Sequence, residues 1–144
     1  MIEKLKKKDI EKAAKIYNKC SLMQNPPKKS SLEETIKKLS ADRCLVYKEN
    51  NKILGLIRYK KDKKIEIKFI CSLRKRQGIG KKLIYKLVKM FKNKTINTTV
   101  SSRDKRALAF YNSLGFKKYG QYKSKTRKNF ILYKIKANSK DILK

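Results

Sequence analysis

The chain has 144 residues, a mass of 17.0 kDa and a hydrophobic content of 40%, which suits one compact domain with one core and leaves little room for two. With 42 Lys and Arg against 11 Asp and Glu, its net charge is +31, a field that attracts polyanions. It has no His, which excludes His-based triads and His-ligated zinc, and its three Cys (Cys20, Cys44 and Cys71) lie scattered without a CxxC spacing, which argues against a disulfide framework or a Cys-only zinc site and fits a reducing interior.

Residues 2–5 alternate weakly and predict a short strand. Asp9 predicts an N-cap, with Ile10, Ala13, Ala14, Ile16 and Tyr17 following at helical spacing. Asn25-Pro26-Pro27 breaks that helix. Ser31 with Glu34 three residues on forms a capping box for a second helix, whose apolar stripe is Leu32, Ile36 and Leu39. Three strand-like runs follow, at Arg43–Lys48, Lys52–Lys60 and Lys64–Ser72. Short polar turns separate them, so antiparallel hairpins are expected. A basic, Gly-containing turn over Leu73–Gly80 leads into a helical stripe of Ile79, Leu83, Ile84, Leu87, Val88 and Phe91. Thr95–Ser101 is rich in β-branched residues and predicts a strand. Arg103–Leu114 predicts a helix ended by Gly115, and Phe116–Tyr122 and Asn129–Lys136 predict two last strands. The segment after Ala137 reads as a frayed tail, so the domain is expected to span 1–136 with a tail at 137–144. The order is β-α-α-β-β-β-α-β-α-β-β, an α/β class with a mixed sheet and helices on both faces.

No apolar run approaches the ~20 residues of a membrane span. Met1 to Lys8 lacks the apolar stretch of a secretory signal. The expected location is therefore the cytoplasm. The positive charge has two readings, nucleic-acid contact and codon bias. Lys outnumbers Arg 35 to 7, as AT-rich coding would give, yet that does not account for the shortage of acids.

Two stretches carry chemistry. The first is Lys75-Arg76-Gln77-Gly78-Ile79-Gly80-Lys81-Lys82, between a strand and a helix. The unpaired N–H groups of a helix's first turn and its dipole favour an anion there, and glycines let a diphosphate approach the backbone closely. The GxxxxGK[ST] pattern is absent, and GxGxxG fails because Leu83 stands at its third glycine. The bland alternative is a connection that merely needs glycines. The second stretch is Ala107-Leu108-Ala109-Phe110-Tyr111-Asn112-Ser113-Leu114-Gly115-Phe116.

Together these resemble the GNAT superfamily of acetyl-CoA-dependent N-acetyltransferases. The first is similar to its (Q/R)xxGx(G/A) coenzyme A loop and the second to its AxxFYxxLGF motif. The element order matches over about residues 1–136. The resemblance implies that the strands flanking the turn splay apart and that acetyl-CoA, the acyl donor, enters the gap. Its pantetheine arm would pair with Lys68, Phe69 and Ile70. Its diphosphate would sit on the loop, Lys75 and Arg76 through Gln77, Gly78, Ile79, Gly80 and Lys81. Tyr111 matches the general acid that protonates the departing thiolate, and a backbone N–H near Ile70 is the expected oxyanion donor. Tyr111 reads alternatively as a packed aromatic beside Phe110 and Phe116.

Departures from the pattern are Lys75 at the loop's first position, Asp104 where an Asn is common, and Thr99 where some protein N-terminal acetyltransferases carry Glu. Asp104 is read either as a coenzyme contact or as a helix-start residue. Glu66 is the candidate general base, through a water, or else a strand charge paired with a lysine. No metal is expected. The acceptor is an amine on a small molecule or a protein, chosen by the helices of Asp9–Ser40 and by Tyr119, Tyr122 and Tyr133. The field favours an acidic or nucleic-acid-bound acceptor over a free polyamine, such as an aminoacyl-tRNA or a phosphorylated amino sugar. Nucleic acid and a second copy of the chain are further expected partners. The competing class is a weakened GNAT-fold module that binds coenzyme A or nucleic acid without transfer. A purely structural nucleic-acid protein would need a stacking aromatic motif on a sheet, and the sequence offers no convincing one.

Overall fold

A computed structural model describes residues 1–74, 77–127 and 130–142. The elements are β1 (Ile2–Lys4), α1 (Ile10–Leu22), α2 (Leu32–Ala41), β2 (Arg43–Glu49), β3 (Lys52–Lys61), β4 (Ile65–Ser72), α3 (Ile79–Met90), β5 (Thr95–Ser101), α4 (Lys105–Ser113), β6 (Lys117–Lys123), β7 (Ile131–Asn138) and a short α5 (Ser139–Ile142). Among the described residues the strands form one sheet in the order β1-β2-β3-β4-β5-β7-β6. All neighbours are antiparallel except β4 and β5. The mixed sheet with helices on both faces is the expected class.

Local chemistry accounts for the elements. Ser31 caps α2, its Oγ accepting from the Glu34 N–H at 3.1 Å and donating to Glu34 Oε1 at 3.2 Å, so the pair forms the N-cap half of the capping box, with Glu34 returning to the Ser31 hydroxyl rather than to its backbone N–H. Asp9 takes the N-cap position of α1 without capping it, because Lys48 donates to its carboxylate at 2.8 Å. Asn50 and Asn51 adopt φ of 50° and 62° and turn β2 into β3, a conformation Asn tolerates better than most residues. In β3 the run Ile53–Ile57 is buried throughout, as expected of a strand covered on both faces.

Two apolar clusters cover the sheet. Ala13, Tyr17 and Leu39 of α1 and α2 pack on Val46, Leu56 and Phe69 of β2–β4. On the opposite face, Leu83, Leu87, Tyr111 and Ile142 of α3, α4 and α5 pack on Ile57, Ile67, Ile96 and Ile135.

Two expectations need correction. Two of the scattered cysteines do form a disulfide: the fold brings Cys20 of α1 against Cys71 of β4, with Cα atoms 5.9 Å apart and a separation of 51 positions in sequence. The spacing rule failed because the juxtaposition is tertiary. Cys44 stays a buried thiol, and burial pushes its pKa up to about 12. Residues 137–142 are likewise not frayed, and Leu143 and Lys144 lie outside the described residues. β7 runs to Asn138, and α5 tucks Ile142 into the core. No helix among the described residues is long and apolar enough to cross a membrane.

Candidate active site

β4 and β5 pair through only three rungs, Ile65 with Ile96, Glu66 with Asn97 and Ile67 with Thr98. Beyond them the strands part. The cause lies partly in β4, where Arg58 faces Phe69 and Tyr59 faces Ile67, leaving Lys68 as the extra residue of a β-bulge. The bulge bends β4 and frees the edge at Lys68, Phe69 and Ile70 from β5. Phe69 stacks on Tyr17 at 3.8 Å between ring centroids, which fixes one wall of the gap.

The N-terminus of α3 stands at this gap. Its N-cap is Gly78, with φ of +70°, a left-handed conformation that suits glycine, and a Cβ there would meet nothing within 4 Å. The helix's first N–H groups, at Ile79, Gly80 and Lys81, have no intrahelical acceptor. Ile79 itself is buried, so any role it has toward a ligand is through its backbone. Gly80 serves packing: a Cβ there would stand 3.3 Å from Phe110 Cζ and 3.7 Å from Ile70 Cδ1. Phe110 of α4 thus lies against the first turn of α3, on the side of Gly80 where Ile70 of β4 also approaches. Gln77 and Lys81 are exposed, and Lys75 and Arg76 lie outside the described residues.

Tyr111 projects from α4 into the core. It is 5% exposed, and its ring meets Phe110 and Phe116 edge-on at 5.2 and 5.1 Å. Burial raises its phenol pKa well above the ordinary value, against an opposing hydrogen bond with Thr98. Thr98 is buried as well and donates its hydroxyl to the Ile67 carbonyl at 2.8 Å. That residue belongs to the last rung before the strands separate. The phenol is therefore packed, and its hydroxyl stands at the vertex of the gap. The packing alternative and the vertex position describe the same side chain.

Asp104 spends one oxygen on capping α4, its Oδ1 accepting from the Ala107 N–H at 3.1 Å. This is the helix-start arrangement. Glu66 is partly exposed on the face opposite α3 and pairs with Lys68 at 3.0 Å, along its own strand rather than across the sheet. It lines a shallow hollow of 270 Å³ with Lys60, Lys64 and Asn97. Over the other side of the gap, the α1–α2 loop meets two neighbours. Asn25 donates to the Arg103 carbonyl at 3.1 Å, and Arg127 donates to the Pro27 carbonyl at 3.3 Å. Asp62, Glu66 and the remaining described acids form no cluster that could hold a metal.

Sequence reasoning missed Thr98. The signal was present: it is a hydroxyl on the inward side of β5, between the apolar Ile96 and Val100. The position of Phe110 against α3 was not readable, because it depends on how α4 meets α3.

A family model described as Acetyltransferase (GNAT) domain matches residues 11–137. No curated protein matches the sequence. Among solved structures, smu.2055 from Streptococcus mutans UA159 superposes with a TM-score of 0.81 at 20% identity, covering 96% of this chain and 99% of that one. The ribosomal-protein-S18-alanine N-acetyltransferase from Escherichia coli gives 0.77 at 17% identity over 96% and 92%. The yncA protein from Salmonella typhimurium, solved with its cofactor acetyl-CoA, gives 0.75 at 17% identity over 96% and 93%.

Proposed function

The chain belongs to the GNAT acetyltransferase family, and from that premise we propose that it moves an acetyl group from acetyl-CoA to a primary amine by direct attack in a ternary complex. The observation that carries this reading is the three-rung pairing of β4 with β5, opening beyond Thr98 onto the free amides at Gly78. Lys68, Phe69 and Ile70 offer the donor's pantetheine arm an unpaired strand edge. The amides of Ile79, Gly80 and Lys81 take its diphosphate, with the helix dipole in support.

At the vertex the amine nitrogen attacks the thioester carbon, the C–S bond breaks, and the thiolate leaves. A backbone N–H near Ile70 holds the charge that develops on oxygen. Burial keeps the Tyr111 phenol protonated at neutral pH, so it stands in the form that donates a proton to the departing thiolate as the general acid. Glu66, on the opposite face and at the middle rung, accepts the amine's proton through water, with the Lys68 ammonium 3.0 Å from its carboxylate. The acceptor carries negative charge or is bound to a polyanion, since the field repels free polyamines. The reaction is carried out by a monomer or a homodimer.

Acetyl-CoA titrated calorimetrically into the protein should bind, and an amine panel should release free thiol. Tyr111→Phe should lower kcat by about 10²-fold with the KM for acetyl-CoA unchanged. Failure to bind acetyl-CoA would overturn the assignment. The burial of Tyr111 in the core favours one second reading, a module that binds coenzyme A without transfer. Binding with no thiol release from any amine would select it.

A further inference from the structure

One half of the sheet carries a surface that lies outside the gap the acyl donor enters. β5, β7 and β6 are covered by α3, α4 and α5 on one face only. On the other face Asn97, Thr99, Lys134, Lys136, Tyr119 and Tyr122 lie at the surface, and every residue of β6 is at least partly exposed. A spacing of three would send Tyr119 and Tyr122 to opposite faces of a regular strand. Here Lys118 pairs with Ile135 and Gly120 with Lys134, so Tyr119 is the extra residue of a bulge. Both rings therefore emerge on one side. The Lys134 ammonium stands 6.0 Å from each ring centroid, and that of Lys136 stands 4.8 Å from Tyr119. Each tyrosine is 42% exposed, and these are two of the few large apolar residues left open on the described surface.

The charge is equally one-sided. After Glu66 the sequence holds only two acids, Asp104 and Asp141, against 23 Lys and Arg, and β5, β6 and β7 contain no Asp or Glu. Codon bias toward Lys does not remove acids from one half of a chain. Paired aromatic rings interleaved with unneutralised ammonium groups match the chemistry of unstacked bases on a phosphate backbone. Heparin offers the charge without the bases, and an acidic peptide offers carboxylates without regular flat rings.

We propose that this face binds single-stranded nucleic acid, with Tyr119 and Tyr122 stacking on successive bases and Lys134 and Lys136 holding the phosphates between them. The platform is created by the bulge at Tyr119. It goes beyond acetyl transfer and stands or falls without it.

The test is fluorescence anisotropy with a fluorescein-labelled 12-nucleotide oligo(U), read across a salt series, with heparin and a duplex of equal length as competitors. Tyr119→Ala and Tyr122→Ala should each weaken binding at least about fivefold, the low end of base stacking on an aromatic side chain. Tyr119→Phe should bind as the parent does. Lys134→Ala combined with Lys136→Ala should reduce the slope of log affinity against log salt by about 1.4, two phosphate contacts' worth for a single strand. Unchanged thermal melting of each variant, and unchanged acetyl-CoA binding by calorimetry, separate this result from misfolding and from failure of the transferase assignment. The proposal is overturned if oligo(U) does not bind, if the tyrosine variants bind like the parent, or if the duplex or heparin competes as well per charge as oligo(U) does.

Discussion

The two halves of the sheet meet solvent on opposite terms. β2, β3 and β4 lie between α1 and α2 on one side and α3 on the other, and β3 is buried for five residues in a row. β5, β7 and β6 have helices on a single face, and β6 has no fully buried residue. Charge follows the same division. Residues 1–66 carry nine acids among nineteen Lys and Arg, whereas residues 67–144 carry two acids among 23. In the covered half, acids such as Asp9, Asp42 and Glu49 are used as partners for Lys48, Arg58 and Arg74. The open half has cations and almost nothing of its own to pair them with. The covered half holds the fold together, and the open half is left to face other molecules.

The contrast can be broken from the stable side first. Leu56→Ala, at a fully buried position of β3, should cost about 3–5 kcal/mol in urea unfolding. Reducing the Cys20–Cys71 disulfide with dithiothreitol should cost up to about 4 kcal/mol, the chain-entropy value for a loop of its length. An unchanged melting temperature on reduction would mean that the two thiols are not joined in the folded protein. A smaller effect concerns the N-terminal edge. Hydrogen bonds from Lys48 hold the Asp9 and Glu3 carboxyls below their usual values of 3.8 and 4.5. Folded pKa values below the unfolded ones add stability that is present above those usual values and is lost as pH falls through them. Lys48→Met should therefore flatten the fall in melting temperature below about pH 5. At the far end, Tyr122→Ala should shift stability by no more than about 0.5 kcal/mol, because its ring lies open on a one-sided strand. A large loss there would mean that the ring is structural and the halves are not so different.

Much of the fold was legible because its signals are local. Thr95–Ser101 forms a strand with the expected bounds, Ser31 and Glu34 make their cap, and the stripe from Ile79 to Val88 is buried as its spacing dictates. The site was legible as two motifs, one at each side of the gap. What the sequence hid is tertiary. The disulfide needs α1 laid against β4, and the burial of Ile142 needs a core to receive it. The common face of Tyr119 and Tyr122 needs a register that only β7 imposes. A regular strand would have parted them, which is why no stacking motif could be read.

The seam between β4 and β5 has a mechanical consequence. Three rungs join two leaves whose strands, the short edge strand β1 aside, pair through six or seven rungs each, so the angle between the leaves is the softest coordinate of the sheet. The molecule can flex like a book about its spine while each leaf stays rigid. Slow amide exchange within the leaves, with faster exchange at Ile67 and Thr98, would be the signature of that motion.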